Sequence, residues 1–116
     1  MKKLIVTVMC VLAVYITAFA QTESNKTETF KVYGNCGMCK KTIESALKKK
    51  DGILSGKWDS KTKMVVVTYD SSKINIKQIY QKIANAGYDT DSVRANDEAY
   101  SNLHSCCQYD RPKKTE

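Results

Sequence analysis

Two close pairs of cysteines constrain this chain most: Cys36-Gly37-Met38-Cys39 near one end and Cys106-Cys107 near the other. A fifth, Cys10, lies inside an apolar run. A small domain that carries this many cysteines needs a disulfide, a metal or redox chemistry to account for them. Which of these applies depends on where the chain resides, and the N-terminus speaks to that. Met1-Lys2-Lys3 is a short positive region, Leu4 to Phe19 is an apolar run, and Ala18-Phe19-Ala20 is a small-x-small ending before polar Gln21-Thr22-Glu23. This is the anatomy of a secretory signal peptide cleaved after Ala20, so residues 1–20 are expected to be removed, Cys10 among them. The run is too short to read as a spanning anchor, which needs about 20 apolar residues. Cleavage leaves 96 of 116 residues and lowers the formal net charge from +7 to +5. The product is one small domain, exported to a periplasmic or extracellular space, with no stable membrane insertion. Free thiols persist in such a space only if they are metal-bound, paired or kept reduced.

The mature chain opens with a polar stretch, residues 21–28, read as a flexible leader. Phe30 and Val32 alternate with Thr29, Lys31 and Tyr33 as a first strand, broken by Gly34-Asn35. Cys39, Ile43, Ala46 and Leu47 then fall on one helical face over Cys39 to Lys50. Ile53 to Trp58 and Lys63 to Tyr69 form a hairpin turning at Asp59-Ser60-Lys61-Thr62. Asn75 and Gln78 make a capping box, with Ile74 and Ile79 as its staple, for a second helix whose stripe is Ile76, Ile79, Tyr80 and Ile83. Gly87 ends that helix, and Tyr88 to Val93 is a last short strand. The order β-α-β-β-α-β predicts an α+β ferredoxin-like fold: a four-stranded antiparallel sheet with two helices on one face. The domain spans residues 29–94, and residues 95–116 form a cysteine-containing C-terminal extension.

Cys36 and Cys39 lie between the first strand and the first helix. A helix N-terminus, with Lys40 and Lys41 beside it, shifts thiols toward thiolate, and thiolates bind soft metals. Gly37 is expected to let the loop turn so that both sulfurs converge. A Cys-x-x-Cys pair alone also serves redox enzymes, zinc sites and simple disulfides. A structural zinc site wants four placed ligands, and a thiol oxidoreductase wants a thioredoxin-like context. Two ligands on an open loop fit a transfer site better. The different-class alternative is a thiol–disulfide redox protein in which Cys36/Cys39 exchanges with Cys106/Cys107. An enzyme is not expected, because one His and no convergent acid–base pair leave no catalytic set. Nucleic acid is excluded as a partner, since no aromatic RNA-reading strand motif is present.

Phe30 to Val93 resembles a heavy-metal-associated domain, the family of copper chaperones, periplasmic mercury-binding proteins and metal-ATPase N-terminal modules. The residues that carry the resemblance are Val32-Tyr33-Gly34-Asn35-Cys36-Gly37-Met38-Cys39 with Lys40 to Lys49, Gly52, Val65-Val66-Val67-Thr68-Tyr69-Asp70, and Ala84-Asn85-Ala86-Gly87-Tyr88-Asp89. It implies that Cys36 and Cys39 are the metal ligands and that Tyr88, on a neighbouring loop, covers the thiolates. It implies also a soft cargo, Cu(I) first and Hg(II) or Zn(II) behind it, buffered or passed by ligand exchange. The partner would be a metal-transporting membrane protein or another metal-binding domain, met by transient docking. Many members carry Gly-Met-Thr or Gly-Met-Asp before the first cysteine. Here Tyr33-Gly34-Asn35 stands there and the nearby methionine is Met38, read as local packing or an occasional thioether contact.

His104, Cys106 and Cys107 form a second cluster outside the core, and adjacent cysteines are poorly placed to ligate together or to pair with each other. The cluster has four readings: added ligands for Cys36/Cys39, a disulfide with that pair, a separate soft-metal site with His104, or a staple for the extension. Tyr100, Leu103 and Tyr109 are candidates to dock the extension by apolar contact. Trp58 reads as core, and the lysines at 40–41 and 48–50 as solvated helix faces that steer an acidic partner.

Overall fold

The computed structural model describes residues 24–114; the signal-peptide reading of residues 1–20 and Cys10 lie outside them. Strand β1 (Asn25–Lys31) leads into helix α1 (Gly37–Ala46), the hairpin β2 (Ile53–Trp58) and β3 (Met64–Asp70), helix α2 (Ile76–Asn85), a short helix α3 (Asp97–Ser101) and a 3₁₀ turn at Ser105–Cys107. The strands pair antiparallel in the order β1-β3-β2. Val65, Val67 and Tyr69 of β3 are buried while Val66 between them is 44% exposed, so one face of the sheet carries the core. Ile43 from α1, Leu47 just beyond its end, and Ile79 and Ile83 from α2 close onto that face, with Trp58 at the end of β2. No helix among the described residues is long and apolar enough to cross a membrane.

Several local expectations hold in detail. Asn75 Oδ1 accepts from the Gln78 N–H (2.9 Å) and Gln78 Oε1 from the Asn75 N–H (3.0 Å), completing the capping box. The hairpin turn is held by Asp59 Oδ1, which accepts from the N–H groups of Lys61 (2.7 Å) and Thr62 (3.1 Å). The Trp58 indole N–H donates to the Val32 carbonyl at 2.9 Å, tying the hairpin to the end of β1.

Three expectations are corrected. The leader does not extend to residue 28, because β1 begins at Asn25 and pairs with β3 from Asn25↔Asp70 onward. The cross-strand contacts Thr27 Oγ1 to Thr68 Oγ1 (3.0 Å) and Tyr69 hydroxyl to Glu28 (2.8 Å) give these polar residues partners that only the folded sheet supplies. The first helix stops at Ala46, since Leu47 turns out of helical geometry and packs beneath Gly56 of β2. Lys48 to Lys50 therefore lie beyond it. The fourth strand over Tyr88–Val93 shrinks to a single bridge, Val32↔Thr90, and the sheet of the described residues has three strands. The Thr90 hydroxyl accepts from the N–H groups of Ser92 (3.2 Å) and Val93 (3.0 Å), and the Thr90 N–H bonds the Val93 carbonyl (2.9 Å). A side-chain-capped turn thus takes the place of a second ladder rung.

The extension is built into the domain, not appended to it. Asp89 is fully buried, and its carboxylate accepts from Arg111 Nε (2.8 Å), Arg111 Nη2 (2.9 Å) and the Ala95 N–H (2.7 Å). Arg111 also reaches Asp97 (2.8 Å) and lies over the Tyr100 ring, 4.7 Å from its centroid. Tyr109 is buried, stacks on Tyr88 at 5.7 Å and donates its hydroxyl to the Gly87 carbonyl at 2.9 Å. Gly87, at φ +103, lets the chain pass so close to α3 that a Cβ there would stand 2.8 Å from the Ala99 carbonyl oxygen. Removing one partner of a buried ion pair strands the other charge, so Arg111→Ala should lower unfolding free energy by about 3 kcal/mol or more. Urea unfolding checks this; a loss below about 1 kcal/mol would mean that the pair behaves as a surface contact.

Candidate functional site

The loop Tyr33–Asn35 runs from the end of β1 to the N-cap of α1, which is Cys36. Gly34 is the glycine this loop needs: a Cβ there would lie 3.0 Å from the Trp58 ring and 3.3 Å from Cys39 Cβ. Gly37, expected to make the turn, begins the helix with open space around it and without a positive φ. The residue that shapes the loop is thus set by the bulk of Trp58 beneath it. Cys39 lies in the first turn, fully buried, and its sulfur accepts from the Asn35 N–H at 3.3 Å. Cys36 is half-buried, with its sulfur 3.7 Å from that of Cys39.

The 3₁₀ turn Ser105–Cys107 lies against the start of α1. It orients adjacent cysteines so that both sulfurs face Cys36: Cys36 to Cys106 and Cys36 to Cys107 are each 3.9 Å, as is Cys106 to Cys107. This overturns the expectation that neighbouring cysteines are poorly placed to act together. All four thiols are free. His104 is exposed and stands outside the group formed by Cys36, Cys106 and Cys107. Met38 is 46% exposed rather than packed, and its sulfur lies 3.5 Å from that of Cys106. The Asn35 side chain reaches the Cys106 carbonyl at 3.5 Å, fastening the two segments.

The thiols differ in electrostatics. Cys36 is lowered from 9.0 to about 7, first by the Cys39 backbone N–H and further by that of Met38, against the opposing effect of desolvation. These N–H groups act as the positive end of α1, although no cap hydrogen bond closes on the sulfur. Cys107 goes the other way, pushed up to about 12, chiefly by burial. Tyr88 is buried and its hydroxyl, raised by desolvation, closes no hydrogen bond; its neighbours are the thiols of Cys39 and Cys107. Lys40 is not a free solvated charge: its Nζ donates to the Trp58 carbonyl (2.9 Å) and pairs with Glu44 (3.1 Å).

Residues 29–89 match the family model for the heavy-metal-associated domain. The chain belongs to that family. As a heavy-metal-associated domain it is 38% identical over 74 residues to the mercuric transport protein periplasmic component of Shewanella putrefaciens, covering 63% of this chain and 81% of the relative. It is 40% identical over 55 residues to the copper chaperone CopZ of Staphylococcus aureus, covering 47% and 81%. Among solved structures it superimposes on a CopZ metallochaperone with a TM-score of 0.53 at 38% identity, over 56% of this chain and 98% of that one. The match stops at residue 89, so the segment that carries Arg111, Cys106 and Cys107 lies beyond the family's own boundary.

The thiolate is the reactive form of cysteine. In the reduced, metal-free protein, alkylation of Cys36 by iodoacetamide should therefore rise through a midpoint at about pH 7, with Cys107 inert until far higher pH. Peptide mass mapping across pH measures both. A Cys36 midpoint near the ordinary value of 9.0 would contradict the helix-terminus account.

Proposed function

We propose that this chain is an exported carrier of a soft metal ion, Cu(I) foremost, held through Cys36 and Cys39 and buffered or passed to an acceptor by thiolate exchange. The observation that carries the reading is the Cys36–Cys39 pair at the N-terminus of α1, with sulfurs 3.7 Å apart and Cys36 ionising at about 7. A partly ionised thiol on the rim takes up an ion readily, and the buried Cys39 thiol behind it is the second ligand of that uptake pair. Soft thiolates favour Cu(I), and Hg(II) and Zn(II) are the further candidates among ions that sulfur binds. The printed names of the relatives, copper chaperone and mercuric transport protein, support the same class of cargo. Export rests on the N-terminal sequence and on the periplasmic designation of the Shewanella relative. The acceptor is a metal-transporting membrane protein or another metal-binding domain that docks transiently over the thiols.

Native mass spectrometry of the reduced protein with limiting Cu(I) tests this. One ion should bind, and Cys36→Ser/Cys39→Ser should abolish binding while leaving the circular dichroism spectrum intact. Failure of the unaltered protein to bind Cu(I), Hg(II) or Zn(II) would overturn the reading and favour thiol–disulfide exchange between the two pairs.

A further inference from the structure

The sulfurs of Cys36, Cys106 and Cys107 form an equilateral triangle with sides of 3.9 Å. The centre of such a triangle lies about 2.3 Å from each corner, which is the length of a metal–thiolate bond, about 2.3 Å for zinc. The three sulfurs thus already stand at the spacing that one ion between them requires. Cys39, although 3.7 Å from Cys36, falls outside this group.

We infer that the C-terminal extension supplies two further thiolates, so that an ion taken up by Cys36 and Cys39 comes to rest in a trigonal site made by Cys36, Cys106 and Cys107, with the buried Cys39 released once the ion is seated. The inference rests on the metal-carrier reading above and deepens it. Three features beyond the triangle support it. The Tyr88 hydroxyl is buried without a partner beside Cys39 and Cys107, a donor left over for a sulfur that becomes charged. The Asn35 side chain on the Cys106 carbonyl and the buried Asp89–Arg111 pair hold the extension in place. Exposure also differs, since Cys106 is open to solvent and Cys107 is buried.

Each thiol that ligates gives its proton to solvent. An acceptor thiolate that displaces Cys106 lets that sulfur take a proton back, without any change in oxidation state. The exposed Cys106 is the ligand such an acceptor reaches first. A planar set of three sulfurs suits Cu(I) or Hg(II), whereas zinc sites are almost always tetrahedral and would need a fourth ligand drawn in. The extension therefore stands where an acceptor's thiols would otherwise stand, and the protein is built to retain its ion until a partner competes for it.

X-ray absorption at the copper edge counts sulfurs directly. The reduced protein loaded with one equivalent of Cu(I) should show three sulfurs, the Cys106→Ser variant two, and the Cys39→Ser variant three. Cys106 is exposed, so its substitution leaves the core untouched. Two sulfurs in the unaltered protein, or three that persist in Cys106→Ser, would overturn the trigonal site while leaving the carrier reading in place. No copper bound in any form would overturn both.

Discussion

The buried pair of Asp89 and Arg111 is the interaction on which the rest of this structure depends. A carboxylate that is fully buried costs several kcal/mol in desolvation unless its lone pairs are met. Here the guanidinium of Arg111 and the Ala95 N–H meet them with three short hydrogen bonds. The guanidinium comes from a segment that follows the cysteine pair by four residues, and the carboxylate from the loop after α2. Satisfying the charge therefore folds residues 95–111 back over the end of the domain, with Tyr109 stacked on Tyr88. The position of Cys106 and Cys107 follows from that clamp and from the tight 3₁₀ turn they occupy.

Bringing the second pair of thiols to the first changes the chemistry available. On the proposed carrier reading, Cys36 and Cys39 alone would offer an ion two thiolates on an open loop. With Cys106 and Cys107 in contact, solvent access narrows and the sulfurs divide by environment, Cys36 at about 7 and Cys107 near 12. For the proposed carrier, the division suits an ordered uptake, in which the ionised rim thiol captures the ion and the buried one engages once the ion is near. The division comes from backbone N–H groups of α1 at Cys36 and from burial at Cys107, which the Tyr88 hydroxyl opposes.

Much of this was legible in the sequence, and the parts that were not share a cause. The capping box at Asn75, the hairpin turn at Asp59, the apolar stripe of α2 and the Cys36–Cys39 placement are short-range signals, each encoded within a few residues. The fourth strand is cut short because Thr90-Asp91-Ser92 is a turn former whose hydroxyl competes with the ladder and prevails over the strand-like alternation around it. The early start of β1 has no signal in the sequence because Asn25 to Glu28 are polar, and only their cross-strand partners Thr68 and Tyr69 make them strand. The requirement for glycine at position 34, and not at 37, has no local sign because it arises from Trp58, more than twenty residues away. Arg111 looked like one more basic residue of a polar tail; a single buried Asp in a run of turn residues gave no local sign of its partner. His104, beside two cysteines in sequence, stands apart from them in space because the 3₁₀ turn begins after it.

The central claim is that the loop before α1 and the C-terminal extension meet at one place before any metal arrives. Solution NMR of the reduced, metal-free protein tests it most directly, through nuclear Overhauser contacts between the Met38 ε-methyl and the Cys106 β-protons and between the Tyr88 and Tyr109 rings. The account predicts both sets, since the Met38 and Cys106 sulfurs are 3.5 Å apart and the two rings 5.7 Å. Contacts confined to residues 29–89, with none to the segment beyond residue 95, would contradict it.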